Sequence, residues 1–161
     1  MKIALITDQH LDGRKGSLAF WNYFQKFYDQ IFFPTLEKEG VSTIIDLGDT
    51  FDNRKSMDFN TFNRVNENYF KRLKDYKVHM ILGNHCTYYK NTNKINSPEL
   101  LLEQYKNINI YASPEEITLG SKKFLMMPWI NQENKAECLK LISDSEADIM
   151  CGHLECDGFE V

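Results

Sequence analysis

Val41-Ser42-Thr43-Ile44-Ile45-Asp46-Leu47-Gly48-Asp49-Thr50-Phe51-Asp52 is the stretch on which the reading of this chain turns. Its first seven residues make a short, mostly apolar run with the look of a buried strand, and the run ends at Gly48 with two carboxylates, Asp49 and Asp52, close behind. Three other apolar runs end in the same kind of residue. Ile3–Ile6 leads to Asp8 and His10, Val78–Leu82 to Gly83-Asn84-His85, and Ile149–Cys151 to Gly152-His153. In an open α/β sheet, ligands bind outside the carboxyl ends of the strands, so the four loops are expected to converge on one edge.

Taken singly, each loop has an ordinary explanation. An Asp-x-His in a loop is commonly a turn-forming Asp beside a surface His. Gly-Asn-His suits a turn in which Gly or Asn takes positive φ. The argument is joint, because chance would have to set residues of metal-ligand type after four separate strands.

Outward from these runs the pattern alternates between strand and helix, which predicts an α/β fold with a mainly parallel sheet. Lys2–Thr7, Val41–Leu47, Lys77–Leu82, Ile108–Tyr111 and Ala147–Cys151 read as strands, with a hairpin around Gly120 and Ser121 joining Glu116–Leu119 to Lys123–Met127. Helices are predicted over Ser17–Lys38 with a break at Pro34, over Asp58–Tyr76, over Ser97–Tyr105 and near Asn134–Ser143. Ser97 is the expected N-cap of the third, ahead of Pro98 at the first helical position. In the first helix, Phe20, Phe24, Phe27 and Ile31 have core-facing spacing, with Trp21, Tyr28 and Phe32 on a flanking face.

The chain has 161 residues, with 19 Lys and Arg against 23 Asp and Glu for a net charge of −4. A chain of this length buries roughly 68–70% of its unfolded surface, so a single domain over residues 1–161 is expected. Mild acidity excludes a nucleic-acid grip built on bulk positive charge, and any anion must be held locally. The apolar start is too short for an export signal and no run approaches membrane-spanning length, which sets the expectation of a cytoplasmic protein with no membrane partner. Cys86, Cys138, Cys151 and Cys156 are irregularly spaced and include no CxxC pair, so reduced thiols are expected.

Carboxylate, imidazole and amide oxygen suit Mn²⁺, Fe²⁺, Zn²⁺ or Mg²⁺, and two such ions side by side suit phosphoester hydrolysis. Asp49 is the best placed bridge between two ions. His85, beside Asn84, could face a phosphate or a leaving group. His79 lies inside an apolar strand and reads as a core histidine.

These blocks resemble the calcineurin-like metallophosphoesterases, whose motifs are Asp-x-His, Gly-Asp-x-x-(Asp/Asn), Gly-Asn-His-(Asp/Glu), a later Gly-His and a final Gly-His-x-His. The first four stand here as Asp8-Gln9-His10, Gly48-Asp49-Thr50-Phe51-Asp52, Gly83-Asn84-His85-Cys86 and Gly152-His153. Within that superfamily, GDTFDNRK, GNHCTYYKN, MMPWINQEN and CGHLECDGFEV are most similar to recombination endonuclease subunits of T-even-like phages, kin to the SbcD nucleases. A protein phosphatase of the superfamily would read Gly-Asp-x-x-Asp-Arg-Gly, whereas Asn53 and Arg54 stand here.

The resemblance implies a metallophosphoesterase-like αββα sandwich, with Asp8 and His10 on a first metal, Asp49 bridging, Asn84 and His153 on a second, and His85 as the catalytic histidine. It implies two divalent cations, Mn²⁺ foremost. Asp52, Arg54 and Cys86 are expected to support the ligands or contact phosphate. The implied activity is that of a DNA endo- or exonuclease in recombination and repair, with an SMC-like ATPase as partner and a second copy of the chain as a further candidate. A metallophosphatase acting on a small phosphoester, and an inactive binding module, are the alternatives. Two departures stand out: Cys86 replaces the acid that usually follows Gly-Asn-His, and Gly-His-x-His does not occur before Val161. The expectation is therefore most of a catalytic domain without its last ligand loop, whether as a fragment, half of a split gene or a remnant.

Overall fold

The computed structural model describes residues 1–155. Four strands, β1 (Ile3–Ile6), β2 (Thr43–Asp46), β3 (Lys77–Ile81) and β4 (Ile108–Tyr111), form an all-parallel sheet in the order β1-β2-β3-β4. A second sheet holds β5 (Glu115–Leu119), β6 (Lys122–Met127) and β7 (Ile149–Gly152), with β5 antiparallel and β7 parallel to β6. The α/β expectation is met, with the strands divided between two sheets.

Three apolar clusters give the layering. One packs Trp21, Tyr28, Phe33, Leu36, Val65 and Phe70 from helices against Ile44, Val78 and Met80 of the parallel sheet. A second fills the space between the sheets with Ile45, Ile81, Tyr111, Phe124, Met126 and Cys151. A third packs Cys138 of the helix Lys135–Asp144 against Leu125 and Met127, on the outer face of the second sheet. Because strand side chains alternate, Ile44 and Ile45 serve different clusters. Helix, sheet, sheet and helix therefore stack in that order.

The long first helix is broken as Pro34 predicts, with an intervening wide turn. Leu18–Phe27 is α-helical, Tyr28–Phe32 is a π-helical turn, and Phe33–Glu39 resumes as α-helix with Pro34 in its first turn. The core-facing stripe needs correction. Trp21, Tyr28 and Phe32 are buried, whereas Phe27 is 37% and Ile31 57% exposed. Positions 20, 24, 27 and 31 and positions 21, 25, 28 and 32 have the same spacing, and both rows carry aromatics, so periodicity could not choose between them. Two polar partners settle the choice: the Trp21 indole N–H donates to Gln25 Oε1 at 2.9 Å, and the Tyr28 hydroxyl donates to Gln9 Oε1 at 2.9 Å.

A second correction concerns the helix Ser97–Leu102. Its N-cap is Asn96, whose side chain accepts from the Glu99 N–H at 2.9 Å, and Ser97 is already helical. The predicted helix over Asp58–Tyr76 divides into Phe59–Asn68 and a 3₁₀ segment, Phe70–Asp75. One local feature was not anticipated. Gly13–Gly16 makes a single turn in which Arg14 (φ 53°, ψ 45°) and Lys15 (φ 59°, ψ 39°) have left-handed backbone.

His79 is a core histidine as read, 3% exposed, with Nδ1 2.6 Å from the Tyr111 hydroxyl. Cys86, Cys138 and Cys151 are free and buried, while Cys156 lies outside the described residues. Among the described residues, no helix is long and apolar enough to cross a membrane.

Candidate metal centre

Beyond the last residues of β1 and β2 the two chains stay hydrogen-bonded. The N–H groups of Asp8, His10 and Leu11 donate to the carbonyls of Gly48, Asp49 and Thr50 at 3.0, 2.9 and 2.9 Å. The first two ligand loops are thus zipped together. The zip comes with left-handed backbone at Asp8 (φ 51°), His10 (φ 44°) and Asp49 (φ 51°). Such conformations cost of order 1 kcal/mol each for non-glycine residues, and Asp and His are among the side chains that tolerate them.

Asp49 is 3% exposed and divides its carboxylate between two tasks. Oδ1 accepts the His85 backbone N–H at 2.8 Å. Oδ2 lies 3.9 Å from His10 Nε2 and 3.5 Å from His153 Nε2. Gly48, before Asp49, and Gly83, before Asn84, are glycines for a steric reason. A Cβ on Gly83 would stand 2.1 Å from Asp49 Oδ1, and one on Gly48, whose φ is 104°, would stand 2.9 Å from His153 Nδ1.

Both outer histidines are oriented through one ring nitrogen. His153 Nδ1 lies 3.0 Å from the Leu47 carbonyl oxygen and His85 Nδ1 lies 3.0 Å from that of Asp52. A carbonyl oxygen only accepts, so each Nδ1 carries the proton and each Nε2 is left for a ligand or substrate.

Two groups of donor atoms have metal-binding spacing, each within 4.8 Å: Asp8, Asp49 and His153, and His10, Asp52 and His85. This partition differs from the sets that the resemblance implies, because His153 falls with Asp8 and His10 with Asp52. The groups nonetheless share a border, since His10 Nε2 is 4.0 Å from Asp8 Oδ1 as well as 3.9 Å from Asp49 Oδ2. Asn84 is half-buried at the start of the 3₁₀ turn Asn84–Cys86, between Gly83, which abuts Asp49, and His85.

The supporting residues are placed as follows. Asp52 Oδ1 lies 3.2 Å from His10 Nδ1 and 3.6 Å from His85 Nδ1. Arg54 directs Nη1 to the carbonyl and hydroxyl oxygens of Thr87, both at 3.1 Å, with its guanidinium 5.6 Å from the Trp129 ring centroid. Cys86 is fully buried, and burial pushes its thiol up to about 12.

Two acids at the site were missed in the sequence. Asp46, in β2, is buried, and burial raises its carboxyl to about 7 against the opposing hydrogen bonds from Thr50, Gly48 and Gln9. An acid inside Ile44-Ile45-Asp46-Leu47 was the available signal. Asp12 accepts from the Asp52 N–H at 2.6 Å and the Asn53 N–H at 3.1 Å, which pins the loop that carries Asp52.

The donors fit divalent cations. Carboxylates and imidazoles are the ligand set of hard and borderline metals. His10 Nδ1 is buried without a hydrogen bond, with the Asp52 carboxylate nearby, and Asp8 and Asp49 bring two carboxylates into one group.

The Enterobacteria phage T4 protein exonuclease subunit 1 is 34% identical over 125 residues, covering 76% of this chain and 37% of that protein. The chain thus spans little more than a third of that relative's length. Among solved structures, Pseudomonas putida nuclease MPE aligns with a TM-score of 0.51 at 23% identity, covering 77% of this chain and 52% of that one. A novel archaeal phosphodiesterase aligns with a TM-score of 0.50 at 13% identity, covering 93% and 70%. These two are likenesses of fold. Residues 1–158 match the calcineurin-like phosphoesterase family, and with the strand-end ligand loops and the αββα layering in place, the chain belongs to that family.

Proposed function

We propose that this chain is the phosphodiesterase part of a metal-dependent DNA nuclease. In this reading Asp8 and His10 would hold one divalent cation and Asn84 and His153 a second, with Asp49 offering its carboxylate to both. The cations are most suitably Mn²⁺, with Fe²⁺, Zn²⁺ and Mg²⁺ compatible with the same donors. When bound, a pair of this kind orients a phosphodiester and lowers the pKa of the attacking water. The observation that carries the reading is the position of Asp49 Oδ2, which faces His10 Nε2 at 3.9 Å and His153 Nε2 at 3.5 Å.

His85 is assigned as the catalytic residue. Its Nδ1–H is held by the Asp52 carbonyl, which fixes the ring with Nε2 free; when Nε2 also carries a proton, it can hydrogen-bond the scissile phosphate and give that proton to the leaving oxygen as the P–O bond breaks, and the ring keeps Nδ1–H. Asp52 holds His85 through its backbone carbonyl and sets its carboxylate 3.2 Å from His10 Nδ1. Arg54 braces the Thr87 loop, and Cys86 fills the space beneath the His85 turn.

DNA as substrate is supported by 34% identity to a phage exonuclease subunit, and the word subunit in that protein's name supports a partner chain. We assign that partner to the SMC-like ATPases, the setting to recombination and repair, and the location to the cytoplasm. The test is hydrolysis of duplex and single-stranded DNA with Mn²⁺ by wild type, Asp49→Ala and His85→Ala, alongside an aryl phosphomonoester. The reading expects DNA cleavage that Asp49→Ala abolishes and His85→Ala reduces by roughly 10²–10⁴. Cleavage surviving both, or turnover of the monoester alone, contradicts it.

A further inference from the structure

We infer that Asp46 is a positioning residue for the metal centre, fastening the loop that carries Asp8 and His10 to the loop that carries Asp49. The inference rests on the reading of those residues as metal ligands. All the contacts are direct. Asp46 Oδ2 accepts from Gln9 Nε2 and from Thr50 Oγ1, each at 2.8 Å, and Oδ1 accepts from the Gly48 N–H at 3.1 Å. Gln9 stands between Asp8 and His10, while Gly48 and Thr50 flank Asp49. Every donor that Asp46 engages is therefore a chain neighbour of a ligand.

The anchor reaches the core on its far side. Gln9 Oε1 accepts from the Tyr28 hydroxyl at 2.9 Å, and Tyr28 is buried in the π-helical turn and packs on Tyr69 with ring centroids 4.7 Å apart. An amide held at both ends in this way keeps the Gln9 side chain between Asp46 and Tyr28.

A merely structural account of Asp46 is weak. Its sequence neighbours Ile44 and Ile45 are buried and apolar, and a buried carboxylate is an expensive way to complete such a strand. Replacing buried ionic groups by apolar ones of similar size is commonly neutral or stabilising, so a residue retained only for stability would not need to be an acid. What the acid supplies is three acceptor contacts to two ligand loops. Those loops depart from ordinary backbone at Asp8, His10 and Asp49, so their conformation must be held from outside.

The test is Mn²⁺ affinity, measured by calorimetry on the whole chain, with thermal unfolding of each variant in the absence of metal. The variants are Asp46→Ala, Gln9→Ala, the double variant, Asp46→Asn, Asp49→Asn and, as a control, Leu73→Ala, which removes buried core volume among the helices. Asp46→Ala and Gln9→Ala should each weaken Mn²⁺ binding about tenfold or more, the usual scale for groups that orient metal ligands. The double variant should lose little beyond Asp46→Ala, because both act through one hydrogen-bonded chain. Asp46→Asn should keep more affinity than Asp46→Ala, since with the Gln9 amide turned over and the Tyr28 and Thr50 hydroxyls accepting instead of donating, the same residues stay joined. Leu73→Ala should lower the unfolding temperature and leave Mn²⁺ affinity unchanged.

Wild-type affinity in both Asp46→Ala and Gln9→Ala, with Asp49→Asn defective, overturns the inference and spares the reading of the centre. Equal weakening by Leu73→Ala, or by Asp46→Asn and Asp46→Ala, also overturns it. Undiminished binding in Asp49→Asn overturns the reading of the centre itself, and this inference with it. Should Asp46→Ala fail to fold, Gln9→Ala and Asp46→Asn still decide.

Discussion

His85 is held by Asp52: its Nδ1 lies 3.0 Å from the Asp52 backbone carbonyl and 3.6 Å from the Asp52 carboxylate. The residue that follows it, Cys86, is turned into the core with no exposed surface. In the proposed function, Asp52 takes from a different loop the place of the acid that usually follows Gly-Asn-His. Cys86→Asp should bring no gain in Mn²⁺-dependent phosphodiester hydrolysis, because it would add a buried negative charge near Asp46 and Asp49. His85→Ala should lower the same rate by roughly 10²–10⁴, the ordinary worth of a positioned general acid. A faster Cys86→Asp enzyme would show that Asp52 does not do this work.

Gly83→Ala tests the packing that sets Asp49. The new methyl would sit 2.1 Å from Asp49 Oδ1 and 2.4 Å from the Asp49 nitrogen, where backbone leaves no room to yield. The expected result is destabilisation of roughly 1–3 kcal/mol in denaturant unfolding, together with weaker Mn²⁺ binding. Gly40→Ala is the contrast. No atom lies within 4 Å of a Cβ there, so only the strain of its left-handed φ of 62° is felt and Mn²⁺ binding stays as in wild type.

Acid should unfold the protein partly through His79. Burial lowers this imidazole from its ordinary 6.5 to about 4, so the native state resists a proton that the unfolded chain accepts. Native His79 binds fewer protons than unfolded His79 between those values, and its contribution to stability is lost as pH falls from about 6.5 towards 4. Relative to His79→Phe, wild type should lose on the order of 2–3 kcal/mol across that window, read from urea unfolding at several pH values. A pH-independent difference between the two proteins would contradict the assignment.

Much of this architecture is legible in the sequence because parallel strands must end somewhere, and these end in residues of metal-ligand type. The runs before Asp8, Asp49 and Asn84 became β1, β2 and β3 of one sheet, and the run before His153 became β7 of the second. The phase of the first helix was not legible, since Phe20, Phe24 and Phe27 compete with Trp21 and Tyr28 at identical spacing, and hydrogen bonds from the latter pair make the choice. Asn96 and Ser97 are adjacent capping residues, and only the Glu99 N–H reveals which one acts. Asp46 looked like the polar end of a strand, and its three contacts are with residues whose positions only the fold brings together.

The most direct test of the central claim is the Mn²⁺ stoichiometry and affinity of wild type against Asp49→Asn, by calorimetry on the whole chain. Asparagine tolerates the left-handed backbone at this position and keeps an oxygen for the His85 N–H, so the unfolding temperature without metal should barely move. Asp49 between His10 and His153 predicts two Mn²⁺ per wild-type chain and a loss of at least about tenfold in affinity on substitution. Equal Mn²⁺ binding by the two proteins would contradict the account.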